Sequence, residues 1–389
     1  MDKIFLTDAL RGIIKIKRIT IDNAVFRLHY RATTLLFITF SILVTATQFF
    51  GDPIRCIQRD DIPERVINTY CWIESTFTLP KALTKKVGEE VVYPGVDKHK
   101  NGDEVIEHAY YQWVCFVLFL QGLLFYVPRI LWKAWEGGKI NALVMEMHKP
   151  VMKKEDREDK CKQLASYFSD NWHRHNGYAF RFFICEFLNF VNVVGQIYLV
   201  DRFLGGEFTT YGPEVVKFAQ MNQEDRFDPM IKVFPRMAKC TFHRFGSAGS
   251  VQTHDALCIL PLNIVNEKIY VFIWFWMVIL AIITGGNVAY RILVFGWPRL
   301  RFVLLRNKNI IADKKDIEVI MKEIQFGDWF ILYLLSSNMH SLHFREFMSM
   351  LAEKINLKRL ENKGLDVLDS GDLGKRKKSL EALEGAALV

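Results

Sequence analysis

Charge is nearly absent from four stretches of this chain. Residues 32–50, 110–128, 182–200 and 269–290 contain no Asp, Glu, Lys or Arg except Glu186. Each is close to the ~20 residues that a helix needs to cross a bilayer's hydrocarbon core, and such segments are poor material for a water-soluble fold. No signal peptide is visible either. The first 31 residues carry seven basic side chains and no apolar h-region, so the first apolar stretch is expected to act as its own insertion signal. Histidine is scarce around the cysteines, and Cys56-x14-Cys71 and Cys240-x17-Cys258 are too widely spaced for a zinc site. His173-x-His175 has no matching His or carboxylate box elsewhere, so the chain reads as no enzyme, with no catalytic residue, no metal and no cofactor. Its formal charge of +8 accompanies no nucleic-acid module, and no nucleic-acid partner is expected.

What is present is a division of charge and cysteine between the two sides of the apolar stretches. Lys and Arg outnumber Asp and Glu by 7 to 3 in residues 1–31, 11 to 7 in 129–181 and 17 to 13 in 291–389. The excess disappears in 51–109, at 8 to 11, and in 201–268, at 8 to 8. The positive-inside rule then predicts a cytoplasmic N-terminal segment (1–31), a cytoplasmic loop (129–181) and a cytoplasmic C-terminal region (291–389). The spans are 32–50, 110–128, 182–200 and 269–290, and the loops 51–109 and 201–268 are extracellular. Of seven cysteines, Cys56, Cys71, Cys240 and Cys258 all fall in those two outer loops, where disulfides persist. Four cysteines allow three pairings, and the spacing leaves all three open. Cys115 and Cys185 lie within spans and Cys161 on the reducing side, as small apolar fillers or surface thiols.

Polar side chains recur at helical spacing inside the spans. Thr34, Ser41, Thr45 and Gln48 fall within a narrow arc of the first, and Glu186, Asn189, Asn192 and Gln196 share a face of the third. Such stripes either hydrogen-bond neighbouring helices or face water in a pore; Arg181 is placed to pair with Glu186. The fourth span is aromatic, with Phe272, Trp274, Phe275 and Trp276, and reads as lipid-facing. Pro128 closes the second span and is a candidate to end or kink that helix. On the cytoplasmic side, helices are expected over 132–147, 317–324 and 329–351, with Gly327 between the last two. Beyond about 360 the chain turns polar, and Lys375–Lys378 precede Ser379 in a stretch expected to be a solvated, disordered tail with a lipid-binding or phosphorylation-regulated patch as the alternative. The fold class is therefore an all-α membrane protein: a four-transmembrane-helix bundle per subunit with disulfide-braced extracellular loops and a helical cytoplasmic cap.

Several short motifs resemble the innexin family. Tyr110-Tyr111-Gln112-Trp113-Val114 at the start of the second span matches that family's signature. Gly51-Asp52-Pro53 with Cys56, Trp135-Glu136-Gly137-Gly138, Arg174-His175-Asn176, Cys185-Glu186 and Gly327-Asp328-Trp329 match its pattern too. The resemblance covers roughly residues 10–345, and its style is that of insect members. It implies a subunit of a gap-junction channel in the plasma membrane, crossing it several times. Subunits form a homo- or hetero-oligomer with other innexins, as a large-pore hemichannel in a ring larger than a hexamer, passing ions and small molecules. That hemichannel docks to one in the neighbouring cell, and membrane lipids are further partners. The resemblance also implies the pairing Cys56–Cys258 and Cys71–Cys240, and a pore entrance narrowed by the N-terminal segment, which makes Met1, Asp2, Lys3, Ile4 and Phe5 pore-lining candidates with Thr34, Ser41, Thr45 and Gln48. Two alternatives share the four spans: a pannexin-like hemichannel that never docks, and a scaffold without a pore. A tetraspanin-type scaffold would need a Cys-Cys-Gly motif that is missing here. The outer loops hold no Asn-x-Ser/Thr acceptor, so no N-glycan there would obstruct docking.

Overall fold

The structure, a computed structural model, describes residues 19–58, 62–100, 102–221 and 228–360. The candidates Met1, Asp2, Lys3, Ile4 and Phe5 and the basic tail segment Lys375–Lys378 lie outside the described residues. Two compact units are present. The first holds Ala24–Ile130 and Glu186–Val288; the second holds the described parts of Lys15–Asn23, Leu131–Cys185 and Ala289–Val389.

Among the described residues, four helices are long and apolar enough to cross a membrane: α1 (Ala24–Phe50), α2 (Val114–Glu136), α3 (Asn176–Phe203) and α4 (Pro261–Gly296). All outrun the apolar stretches that marked them. At 1.5 Å per residue the 36 residues of α4 extend about 54 Å, well beyond a ~30 Å hydrocarbon core. Hydropathy locates the oil-facing part of a helix, and its polar ends continue into water without changing backbone geometry. In the first unit the fully buried residues recur two turns apart: Phe37 and Val44 on α1, Leu118 and Phe125 on α2, Val193 and Val200 on α3, Ile273 and Leu280 on α4. A spacing of seven returns to the same helix face, so each helix presents one face to a common core, where Phe37 stacks on Phe125 at 5.5 Å. The opposite faces are also apolar, with Ile42, Phe116, Phe187 and Ile282 exposed, as expected where lipid or a neighbouring subunit is the solvent.

Two sequence expectations change here. The fourth helix is not simply lipid-facing: Tyr270, Ile273 and Met277 are buried, and Trp276 donates from Nε1 to Thr33 Oγ1 at 3.0 Å. Pro128 does not end its helix, since α2 runs through it to Glu136. A mid-helix proline leaves the carbonyl four residues earlier without its N–H partner. That carbonyl, on Leu124, accepts instead from Asn192 Nδ2 of α3 at 3.3 Å, which is how membrane helices accommodate proline. Asn192→Leu should therefore cost about 1–2 kcal/mol, and adding Pro128→Ala should recover most of it by restoring the intrahelical donor. Thermal unfolding of the detergent-solubilised variants checks this; additive losses would contradict it.

The chain is mainly helical, with one element that the sequence did not announce. Five antiparallel strands form a sheet in the order β1-β5-β4-β2-β3, from β1 (Arg55–Ile57), β2 (Thr76–Thr78), β3 (Ile106–His108), β4 (Met237–Phe245) and β5 (Val251–Ile259). Three strands come from loop 51–109 and two from loop 201–268, so neither loop forms the sheet alone.

The second unit is helical. Trp132 is fully buried, packs edge-on to Tyr178 and Phe182, and donates from Nε1 to the Ile21 carbonyl at 3.0 Å. The helix expected over 132–147 is broken at Gly137 and Gly138, which adopt φ of +61° and +83°, a region glycine enters at little steric cost. The Glu136 carboxylate accepts from the N–H groups of Gly138 and Ile140, both at 2.8 Å, and so caps the next helix, Lys139–Val144. Gly327 lies inside the first turn of helix Phe326–Asn338 rather than between helices. A Cβ there would meet the His175–Asn176 backbone at 2.3 Å, so only glycine permits that approach. Asp328, with no exposed surface, then reaches His175 Nδ1 at 2.6 Å, and Tyr167 Oη lies 3.1 Å from the other ring nitrogen. The Arg174-His175-Asn176 and Gly327-Asp328-Trp329 motifs are two halves of this one contact.

Candidate functional site

The sheet is covalently closed. Cys56 joins Cys258 and Cys71 joins Cys240, across 202 and 169 residues of chain. Both bridges run between the loops, and Cys56 and Cys258 sit opposite each other in the β1–β5 register. All four cysteines are buried, among Ile54, Ile67, Tyr111, Ala238 and Leu260. The sulfurs of Cys56, Cys71 and Cys258 come within 4.8 Å of one another, but as disulfides they offer no thiolate to a metal. Cross-links over such long separations restrict the unfolded chain strongly, and each contributes on the order of 2–4 kcal/mol. Helix Glu64–Glu74 packs on the same cluster and carries Cys71, and its Asn68 Oδ1 accepts from the Cys56 N–H at 2.7 Å.

The Tyr110–Val114 signature is the joint between this lobe and α2. Tyr110 donates through its hydroxyl to the Val233 carbonyl at 2.9 Å, and Tyr111 to that of Cys71 at 3.3 Å. The Tyr111 ring lies 4.7 Å from that of Trp72. Gln112 donates to the Trp72 and Ile73 carbonyls, Val114 is buried in the bundle core, and Trp113 faces outward. Burial pushes the Tyr111 hydroxyl up to about 12, so it remains a donor throughout the physiological range. The motif anchors the second loop, the disulfide helix and the span entrance to one another.

One lobe histidine gives this region a pH dependence. His108 on β3 is buried, with Nε2 2.8 Å from Thr78 Oγ1, and burial lowers its pKa from 6.5 to about 4. The unfolded chain therefore binds the proton first: stability is present above pH 6.5 and is lost as pH falls toward 4. The span corresponds to an effect on the order of 3 kcal/mol. Denaturant unfolding followed by lobe fluorescence should show this loss in wild type and a flatter profile in His108→Gln; parallel profiles would contradict it.

The polar stripes separate on inspection. Thr34 and Ser41 are buried within the subunit, at 2% and 7% exposure, and Ser41 donates to the Cys115 carbonyl of α2 at 2.8 Å. Ser41 thus ties α1 to α2, whereas Thr34 donates to the His29 carbonyl of its own helix at 3.4 Å, and both turn toward the subunit's own core. Thr45 and Gln48 are half-buried, Thr45 donating to the Ser41 carbonyl at 2.7 Å. Thr39 is the polar side chain of α1 that is exposed, and it lies off the stripe that periodicity selected. On α3, Glu186, Asn189 and Gln196 are buried. Glu186 accepts from Asn287 of α4 at 3.1 Å and Gln196 donates to Asn192 at 3.3 Å, while Arg181 is exposed. His29 and Thr284 likewise tie α1 to α4 at 2.8 Å.

Comparison with known proteins agrees with this arrangement. The sequence model of the family described as Innexin matches residues 22–355. The chain is 54% identical to Innexin inx2 of Drosophila melanogaster over 349 residues, 90% of this chain and 95% of that one. It is 46% identical to Innexin inx1 of Schistocerca americana over 352 residues, 90% and 97% of the two chains. Innexin shaking-B of Drosophila melanogaster is 45% identical over 348 residues, covering 89% and 93%. With four membrane-crossing helices, two loops bridged by paired disulfides and likeness along nearly its whole length, the chain belongs to the innexin family.

Proposed function

We propose how this gap-junction subunit of the plasma membrane works: subunits close into a ring around an aqueous pore, and the disulfide-linked lobe is the outward platform on which two rings meet. The single observation that carries this reading is the shared sheet. The two strands of loop 201–268 lie between those of loop 51–109 in one five-stranded layer, and the loops are bridged twice, which converts two long loops into one rigid body. A docking surface needs that rigidity, because ordering mobile loops on contact would consume the binding free energy. Both termini and residues 129–181 then face the cytoplasm. Partners are further copies of this chain or other innexins, in the same ring and in the opposing cell. A passage wide enough for metabolites selects by diameter and by charges repeated around the ring, without a dehydrating filter of carbonyls. Thr45, Gln48 and the N-terminal residues Met1, Asp2, Lys3, Ile4 and Phe5 are the side chains assigned to its wall.

The tip of the β4–β5 hairpin is the contact we assign to docking. Phe245 and Val251 pair across it in register and are 76% and 62% exposed. Burying such side chains releases about 1.5–3 kcal/mol each. Phe245→Asp should abolish dye transfer between paired cells while leaving dye uptake by single cells unchanged. Undiminished transfer would remove the hairpin tip from the docking surface. Uptake without transfer in the wild type as well would favour a free hemichannel.

A further inference from the structure

The geometry points to a binding site for one anionic phospholipid on the second unit, formed where α3 begins and α4 ends. It rests on these helices spanning a bilayer with those ends at the cytoplasmic leaflet. A groove of about 530 Å³ is walled by Phe180 and Phe183, one turn apart on α3, with Phe295 near the end of α4 and Phe326. The Phe326 ring lies 5.3 Å from Phe183 and 5.1 Å from Phe295, making a continuous aromatic wall. Phe180 and Phe295 are 65% and 63% exposed. The groove's polar end is already satisfied: Asn176 donates to Gln325 Oε1 at 2.5 Å and accepts from the Gly327 N–H at 2.9 Å. Such a wall suits a hydrocarbon chain and offers a polar ligand little.

Cations sit on the same rings. The Arg291 guanidinium is 5.6 Å from the Phe183 centroid, and that of Arg301 is 5.6 Å from Phe326. Arg301 belongs to helix Pro298–Lys308, which also carries Arg299, Arg306 and Lys308 and contains no acidic residue. Among the described residues no carboxylate pairs with any of these four. The nearby Asp328 carboxylate is occupied by His175 and the N–H groups of His173 and Gln325. Arg301 Nε is buried without a hydrogen-bond partner, and burial lowers the Arg301 pKa. Lys308 is lowered too, by burial and then by the charge of Arg291. Arg301 and Lys308, desolvated on one helix and paired with no carboxylate among the described residues, make the environment that a phosphate relieves, and a guanidinium meets phosphate oxygens in a bidentate pair. The aromatic wall below and the cations beside it match the two ends of a lipid, with the acyl chain on Phe180, Phe183, Phe295 and Phe326 and the headgroup at Arg291 and Arg301. A net negative headgroup is selected over a zwitterionic one because its charge is not internally cancelled.

The full chain, purified in mild detergent and stripped of lipid, should be offered equal amounts of phosphatidylserine and phosphatidylcholine with identical acyl chains. Bound lipid per subunit is read by native mass spectrometry. Each basic side chain near an anionic headgroup is worth about a fivefold preference, so wild type should retain phosphatidylserine at least about fivefold over phosphatidylcholine. Arg301→Gln and Arg291→Gln should each lower that preference about fivefold, with Arg301→Lys intermediate. Arg345→Gln, exposed on another helix, should leave the ratio as in wild type. Phe180→Ser with Phe295→Ser should lower retention of both lipids. Equal retention by wild type, or an unchanged preference in Arg301→Gln, would overturn the site. Competition by soluble glycerophosphoserine as effective as by the lipid would replace it with a site for a free anion. Dye transfer by the same variants reads the channel separately, so absence of the preference with transfer intact would remove the lipid site alone.

Discussion

Cells expressing Cys71→Ser are expected to pass no current to a paired neighbour, while Cys161→Ser cells conduct nearly as wild type. The Cys71–Cys240 bridge joins the disulfide helix to the middle of the sheet across 169 residues, and both cysteines are buried. Its loss costs about 2–5 kcal/mol and leaves a lone buried thiol at Cys240. The penalty falls on the lobe, where the Tyr111 hydroxyl hydrogen-bonds the Cys71 carbonyl, so the span entrance loosens with it. Cys161 differs in kind. It is buried as a free thiol that donates to the His343 carbonyl at 3.7 Å, and burial holds it up at about 11, protonated and unreactive. A serine hydroxyl can make the same donation. Equal junctional conductance in the two variants, at matched surface expression, would sink the structural role of the bridge.

Asp328→Ala should be the most damaging single change in the second unit. Its carboxylate accepts from His175 Nδ1 at 2.6 Å and from the N–H groups of Gln325 and His173, both at 3.2 Å. Removing one member of a buried pair leaves its partners desolvated and unsatisfied, at a cost of about 3–5 kcal/mol. Gly327→Ala should act at the same contact by pushing the backbones apart. Asp313→Ala provides the comparison. Its carboxylate caps helix Lys314–Glu323 by accepting from the Lys315 N–H at the surface, an interaction worth about 1 kcal/mol. Thermal unfolding in detergent should therefore order the variants with Asp328→Ala far below Asp313→Ala. Coincident melting curves would show that the pairing is dispensable.

The spans and the bridged loops were legible in the sequence because a bilayer imposes a local rule: a stretch of about twenty residues without charge has few other places to go. The sheet was not legible. β1, β2 and β3 are three residues each, too short for alternation to register, and their partners lie up to about two hundred residues away, as Arg55 opposite Ile259 illustrates. The Asp328–His175 contact was invisible for the same reason, although the two motifs that carry these residues stood out. Periodicity placed Ser41 on a polar face of its helix, but which neighbour that face meets is a tertiary fact, and for Ser41 the neighbour is the Cys115 carbonyl of α2. Pro128 misled because sequence shows the missing donor and not the Asn192 amide that replaces it.

Copies of this chain are proposed to close into rings that meet through the disulfide-linked lobes. Electron microscopy of particles extracted in mild detergent is the test of that assembly. The expected particle has rotational symmetry and a central water-filled opening, with two rings face to face at the side that carries Cys56, Cys71, Cys240 and Cys258. A monomer or dimer with no axial hole, in a preparation that still conducts in bilayers, would rule the ring out.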